Sequence, residues 1–91
     1  MKKWKYTLDL SLFYGNRSMA IKRKAEETSK KLRAFKTRHF NDDSELFSLI
    51  DEFDDLGESG IGCERELTRD YDIIMSTLYD WCDYNKVWIE K

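Results

Sequence analysis

An amphipathic stripe in the C-terminal third is the feature that most constrains how this chain can fold. Between residues 62 and 84, apolar side chains recur at steps of three and four: Cys63, Leu67, Tyr71, Ile74, Leu78 and Trp81. At roughly 100° of rotation per residue, this spacing places them on one face of a helix. The pattern therefore predicts a long helix whose apolar face the rest of the chain must cover.

The size of the chain sets the scale of the fold. Its 91 residues predict one compact domain, 1–91, with a modest core. The hydrophobic share of 41% is enough to pack that core despite 37% charged residues. No apolar run approaches the roughly 20 residues that a membrane-spanning helix needs, and no signal-peptide block follows the basic N-terminus. We therefore expect a cytoplasmic protein with reduced cysteines that does not act at a membrane.

Four other segments show their own periodicity. Residues 4–14 alternate between apolar and polar side chains, which predicts a strand. Residues 19–36 and 44–56 repeat apolar positions every three or four residues, which predicts two further helices. The predicted inward face of the second of these helices consists of Leu46, Leu49, Ile50, Phe53 and Leu56. Residues 87–89 are β-formers and predict a short terminal strand.

The ends of the predicted helices have recognisable signals. Asp42 with Glu45 three residues later fits a capping box at the start of the helix over 44–56. Gly57 is predicted to end that helix. Asn85 and Lys86 break the pattern between the last helix and the terminal strand.

The element order β-α-α-α-β predicts an α+β fold. Two strands alone are marginal in water, so a two-stranded sheet of the N- and C-terminal strands should be packed by the three helices. The predicted inward face of the first strand consists of Trp4, Tyr6, Leu8, Leu10 and Leu12. That strand leaves an open edge, which is compatible with a homodimer or with a structural assembly subunit.

The charges divide unevenly along the chain, although the net charge is only -2. Residues 1–40 carry twelve Lys/Arg and three acids, whereas residues 41–91 carry four Lys/Arg and fifteen acids. The two halves either neutralise each other within the fold or present opposite charges to other molecules. The sequence leaves both arrangements open.

The usual catalytic and metal-binding patterns are missing from the sequence. His39 is the single histidine and has no second His or Cys nearby. Ser18, Ser44 and Ser59 have no base placed to activate them, and neither cysteine sits beside a histidine. The acids lack the spacing of a calcium-binding loop. We expect a protein that is not an enzyme and that holds no metal or cofactor.

One acidic row is the leading candidate for a binding surface. Phe47, Asp51, Asp54 and Glu58 follow the i, i+4, i+7, i+11 spacing of one helix face, and Asp55 flanks them. An aromatic side chain surrounded by carboxylates is typical of an interface that anchors a basic protein partner. The alternative is that Phe47 packs beneath the basic helix or the loop after Gly57.

The basic helix offers a second hypothesis, nucleic-acid binding. Nine Lys/Arg lie within residues 17–38, and exposed cations supply much non-specific affinity for phosphates. No recognition motif accompanies them, and fifteen acids would repel a polyanion unless they lie on the far side of the molecule. The candidate residues are Lys22, Arg23, Lys24, Lys30, Lys31 and Arg33.

The short, charged chain contains no proline and resembles, in general style, small proteins of phages and other mobile elements. Many of those proteins inhibit host machinery by steric hindrance or charge mimicry. The resemblance implies an inhibitor or regulator of a nucleic-acid-handling complex, an anti-CRISPR-like role included. Combined with the acidic row, it leads us to expect a small protein-binding module.

Overall fold

Three helices connect two short strands that pair with each other. The chain's structure is a computed structural model, and it describes residues 4–10, 17–58 and 64–90. The elements in chain order are β1 (Tyr6–Asp9), α1 (Arg17–His39), α2 (Ser44–Glu58), α3 (Glu64–Asn85) and β2 (Val87–Glu90). The predicted α+β class and the β-α-α-α-β order are therefore confirmed.

β1 and β2 run parallel, with Tyr6 opposite Val87 and Leu8 opposite Ile89. The pairing continues past β1, because the Leu10 N–H donates a 2.8 Å hydrogen bond to the Glu90 carbonyl. Parallel strands cannot be joined by a tight hairpin and need a long crossover. The three helices provide that crossover.

The described part of the first strand is shorter than the predicted one. β1 covers Tyr6–Asp9, and residues 11–14 of the prediction lie outside the described residues. Trp4 was predicted to face inward, but it is 36% exposed and packs edge-on against Trp88, with ring centroids 5.4 Å apart. Because Trp4 precedes the strand, the alternation within β1 does not fix the side on which it lies.

The core lies between the inner face of the sheet and the three helices. Leu8, Leu10 and Val87 are buried beneath the sheet. Every inward position predicted for α2 is buried: Leu46, Leu49, Ile50, Phe53 and Leu56. The stripe on α3 is confirmed where it is described, with Leu67, Leu78 and Trp81 buried and Tyr71 and Ile74 partly buried, while Cys63 lies outside the described residues.

α1 and α2 approach each other closely at Gly57. This residue was predicted to end the helix, but α2 continues to Glu58 and Gly57 is buried against α1. A Cβ atom at this position would lie 2.7 Å from the Cγ atom of Glu26. Gly57 therefore serves the packing of the two helices, not the termination of α2.

Asp43 caps α2, not Asp42 as predicted. The Leu46 N–H donates a 2.8 Å hydrogen bond to Asp43 Oδ1, and the Trp81 indole Nε1–H donates a 3.2 Å bond to Asp43 Oδ2. Two adjacent acids offered similar local capping, and the contact with Trp81 on α3 selects the second. One carboxylate thus starts α2 and joins it to α3.

The predicted break before the terminal strand is confirmed. α3 ends at Asn85, and Lys86 has a φ of 58°, in the left-handed region. The Asn85 side-chain amide donates a 2.9 Å bond to the Trp81 carbonyl in the last turn of α3. This turn redirects the chain so that β2 runs beside β1.

Candidate protein-interaction surface

The predicted acidic row is divided by the packing of α2 against α1. Asp54 faces α1, where its two carboxylate oxygens accept hydrogen bonds from the Ser29 hydroxyl and the Arg33 guanidinium. Ser29 is buried, and the side chains of Arg33 and Asp54 are 56% and 30% exposed. Asp54 therefore belongs to the contact between the helices and is poorly placed to bind a partner.

The environment of Asp54 favours its charged form. The hydrogen bond from Ser29, together with the hydrogen bond and the positive charge of Arg33, lowers the pKa of the Asp54 carboxyl, although partial burial opposes this shift. The carboxylate is consequently ionised at neutral pH. It is a point at which the acidic and basic halves of the chain do neutralise each other.

Phe47 lies at the edge of the same helix contact and remains 53% exposed. The Lys36 ammonium lies 5.9 Å from the centroid of its ring, at the outer limit of a cation–π contact. Lys36 also donates a 2.6 Å hydrogen bond to the Asn41 carbonyl. Phe47 is thus bordered by α1 but not covered by it.

The other members of the acidic row face outward. Asp51, Asp55 and Glu58 are all exposed on α2. The helix contains six acids and no Lys or Arg, so its outer surface is uniformly negative. Three of the predicted carboxylates and Phe47 are therefore exposed on α2, whereas Asp54 contacts α1.

The basic residues proposed for nucleic-acid binding are distributed around α1. Arg23, Lys30 and Arg33 are exposed, whereas Lys22, Lys24 and Lys31 are partly buried. The guanidinium of Arg33 is engaged by Asp54. At about 100° per residue, Arg23 and Lys30 lie on the same exposed side of α1.

A groove between α2 and α3 was not predicted. It has a volume of about 510 Å³, and its lining residues are Glu45, Ser48, Leu49, Glu52, Thr77, Asp80, Trp81 and Tyr84. The spacing of Glu45, Ser48 and Glu52 marks a second polar edge of α2 that a helical projection would have revealed. The facing residues of α3 could not be assigned, because the antiparallel pairing of the two helices is a tertiary contact.

The remaining reactive groups show no organised chemistry in the described part of the chain. Among residues 4–10, 17–58 and 64–90, no three acidic, His or Cys side chains gather as a metal site. The ring of His39 lies 4.4 Å from that of Tyr6, at the exposed end of α1. Burial raises the pKa of the Cys82 thiol to about 12, so it stays protonated at neutral pH.

No helix within the described ranges is long and apolar enough to span a bilayer. No protein family, curated protein or solved structure matches this chain. The function of the surface therefore has to be argued from its own charges and shape.

Proposed function

We propose that this protein is a non-enzymatic binding module that holds a basic protein partner against the outer surface of α2. The observation that carries the proposal is the exposure of Asp51, Asp55 and Glu58 on the same helix as the half-exposed ring of Phe47. Carboxylates on this surface favour a cationic partner, and an aromatic ring supplies apolar contact area. These features support a protein interface more than they support catalysis.

The partner we propose is a component of a nucleic-acid-handling complex, which the module inhibits or regulates. Proteins of this kind expose Lys/Arg-rich surfaces that bind phosphates. A surface of carboxylates competes with phosphates for the same cations. We place this activity in the cytoplasm, a reducing compartment that suits the free, buried Cys82.

The test is capture of a partner from lysate of the source cells, with and without nuclease, at low and moderate salt. The reversal variant carries Asp51→Lys, Asp55→Lys and Glu58→Lys, and it leaves Asp54 unchanged because that carboxylate stabilises the helix contact. A matched control carries Glu66→Lys, Asp70→Lys and Asp72→Lys, three exposed acids on the N-terminal half of α3.

We expect the wild-type chain and the control to capture a defined protein even after nuclease treatment. The reversal variant should not capture it. If both variants lost the captured protein equally, the interaction would depend only on the net charge of the chain, which would contradict the proposed surface.

Nucleic-acid binding through α1 is the second candidate. The exposed cations Arg23, Lys30 and Arg38 support it, since helical geometry places all three on one side of α1. It predicts direct binding of an oligonucleotide by the purified chain, with affinity that falls steeply with salt and is weakened by Lys30→Glu. Such binding without any nuclease-resistant partner would replace the leading proposal.

Association through the sheet is the third candidate. In a parallel pair, the alternation of backbone groups directs the N–H and C=O groups of Thr7 away from β2. A homodimer formed along this edge would appear in sedimentation equilibrium, and Thr7→Pro would dissociate it by blocking strand addition.

A further inference from the structure

The groove between α2 and α3 has an apolar floor. Leu49 from α2 and Trp81 from α3 line it, and each is almost completely buried, at 3% and 5% exposure. The Trp81 indole N–H donates a hydrogen bond to Asp43, and this contact holds the ring in place. A groove of about 510 Å³ with a fixed apolar floor can accept a row of side chains from another helix.

The walls of the groove are acidic on both sides. Glu45 and Glu52 lie along the α2 wall and Asp80 lies on the α3 wall, and all three are exposed. None of the described residues that line the groove is Lys or Arg. A cation that entered the groove would therefore meet carboxylates from two directions, and an anion would be repelled.

Tyr84 stands at one end of the groove and is 85% exposed. A tyrosine ring offers a flat face on which a guanidinium can stack, and this contact strengthens when water is excluded. Aromatic side chains of this kind also supply much of the binding energy at protein interfaces. The ring thus adds a favourable site for arginine to the acidic walls.

The spacing of the acids matches a helix as the occupant. α2 and α3 run antiparallel, as shown by the contacts of Asp43 with Trp81 and of Phe53 with Tyr71. Glu45 and Glu52 are two helical turns apart, a rise of about 10.5 Å along α2. Cations seven residues apart on a helix that lies along the groove have the same separation.

We propose that this groove seats a basic amphipathic helix of the protein partner. One apolar side chain of that helix contacts Leu49 and Trp81, and two Lys/Arg, seven residues apart, pair with Glu45 and Glu52. A further arginine pairs with Asp80 and stacks on Tyr84. This inference rests on the proposed function, because it names the part of the basic partner that is held.

The probe is a synthetic alanine-rich peptide of about 18 residues, long enough to form a helix. It carries two Arg seven residues apart with Leu between them on the same face, and a third Arg one turn beyond the Arg that pairs with Glu45, within reach of Asp80 and Tyr84. Two comparison peptides replace either all three Arg with Glu or the Leu with Ser. Isothermal titration measures affinity, and amide and indole NMR shifts locate the peptide on the full chain.

The groove variant carries Glu45→Gln, Glu52→Gln and Asp80→Asn. Its matched control carries Asp72→Asn, Asp83→Asn and Glu90→Gln, which remove the same charge from exposed positions that do not line the groove. Thermal melting confirms that both variants are folded. A separate Tyr84→Ser variant removes the ring and leaves the charge unchanged.

We expect the groove variant to bind the Arg/Leu peptide about tenfold or more weakly than the wild-type chain does. The control should change the affinity by no more than about twofold. Tyr84→Ser should lower the affinity for the Arg/Leu peptide about threefold, and the two comparison peptides should bind the wild-type chain more weakly. The NMR signal of the Trp81 indole should shift when the Arg/Leu peptide binds. Absence of binding, equal weakening by groove and control variants, or shifts confined to other surfaces would overturn the inference.

Two further results separate this inference from the proposed function. If the captured partner is lost with the α2 reversal variant but retained by the groove variant, the groove proposal fails and the proposed function stands. If the chain alone forms an oligomer at low salt that the groove variant dissociates, the occupant is a second copy of this chain, which also overturns the proposal.

Discussion

Asp54 differs from the other carboxylates of α2 because its charge is used within the molecule. It accepts hydrogen bonds from Ser29 and Arg33 across the contact between α1 and α2. Its pKa is lowered from an ordinary value of 3.8, so the folded state binds its proton less readily than the unfolded state. Ionised Asp54 therefore stabilises the fold above about pH 4, and that contribution is lost as the pH falls through the lower, folded pKa.

The Asp54→Asn substitution should therefore have a pH-dependent effect on stability. We expect it to lower the free energy of unfolding more at about pH 6 than at about pH 2, because only the ionised carboxylate gains from Ser29 and Arg33. Urea unfolding at a series of pH values measures the difference. Ser29→Ala should flatten the same acid-side dependence, whereas parallel pH curves for wild type and Asp54→Asn would contradict the assignment.

Thr28 presents the opposite case, a buried polar group without a use. Its side chain is 0% exposed, and its hydroxyl has no hydrogen-bond partner within the described residues. We expect Thr28→Val to raise the free energy of unfolding by about 0.5–1 kcal/mol, because an unpaired buried hydroxyl is replaced by a methyl group of similar shape. Thr28→Ser keeps the hydroxyl and removes the methyl, so it should lower stability; equal destabilisation by both variants would show that the hydroxyl is bonded.

At the scale of elements, the periods of the three helices were readable from the sequence, but the contacts between helices were not. The predicted inward face of α2 is confirmed because its apolar stripe has one way to be buried. The roles of Gly57 and Asp43 were misassigned because each depends on a neighbouring helix, Glu26 on α1 and Trp81 on α3. The local sequence signals predicted roles for these positions in ending or capping a helix, and their observed roles depend on tertiary contacts that the local sequence does not show.

The contact at Gly57 can be tested with a double-mutant cycle. The higher helix propensity of alanine should stabilise the Gly57→Ala variant by about 1 kcal/mol. The steric clash should destabilise it by more, because the new Cβ would lie 2.7 Å from Glu26 Cγ. We therefore expect a net loss of stability in the wild-type chain and a smaller loss or a gain in a Glu26→Ala background. Denaturant unfolding of the four proteins measures the coupling; additive effects would mean that the helices are farther apart than the structure shows.

The cap at Asp43 makes a graded prediction. Asp43→Asn keeps an oxygen for the Leu46 N–H but not a second one for the Trp81 indole, whereas Asp43→Ala loses both. We expect losses of about 1 kcal/mol for Asn and about 2 kcal/mol for Ala in the free energy of unfolding. Asp42→Ala is the control and should change the free energy of unfolding by less than about 0.5 kcal/mol. Equal losses of stability from Asp42→Ala and Asp43→Ala would contradict the assignment of Asp43 as the cap.

For the whole molecule, the sequence established that the charges are segregated but not how the fold arranges them. The structure neutralises Asp54 against Arg33 and leaves Asp51 and Asp55 exposed. It also brings Asp80 of α3 into the same groove as Glu45 and Glu52 of α2, which no linear pattern marks. The acidic surface could be predicted from the sequence because it lies on one helix. The groove could not be predicted, since it is formed by two helices.

The central claim is that the partner binds the exposed surface of α2, and site-directed photocrosslinking in source cells tests it most directly. Benzoylphenylalanine placed at Ser48 on α2, Ala34 on the basic face of α1 or Thr68 on α3 replaces an exposed, uncharged residue in each case and leaves every charge intact. We expect a discrete protein adduct from Ser48 and none from Thr68. Adducts to nucleic acid from Ala34, with none from Ser48, would contradict the account and assign the function to α1.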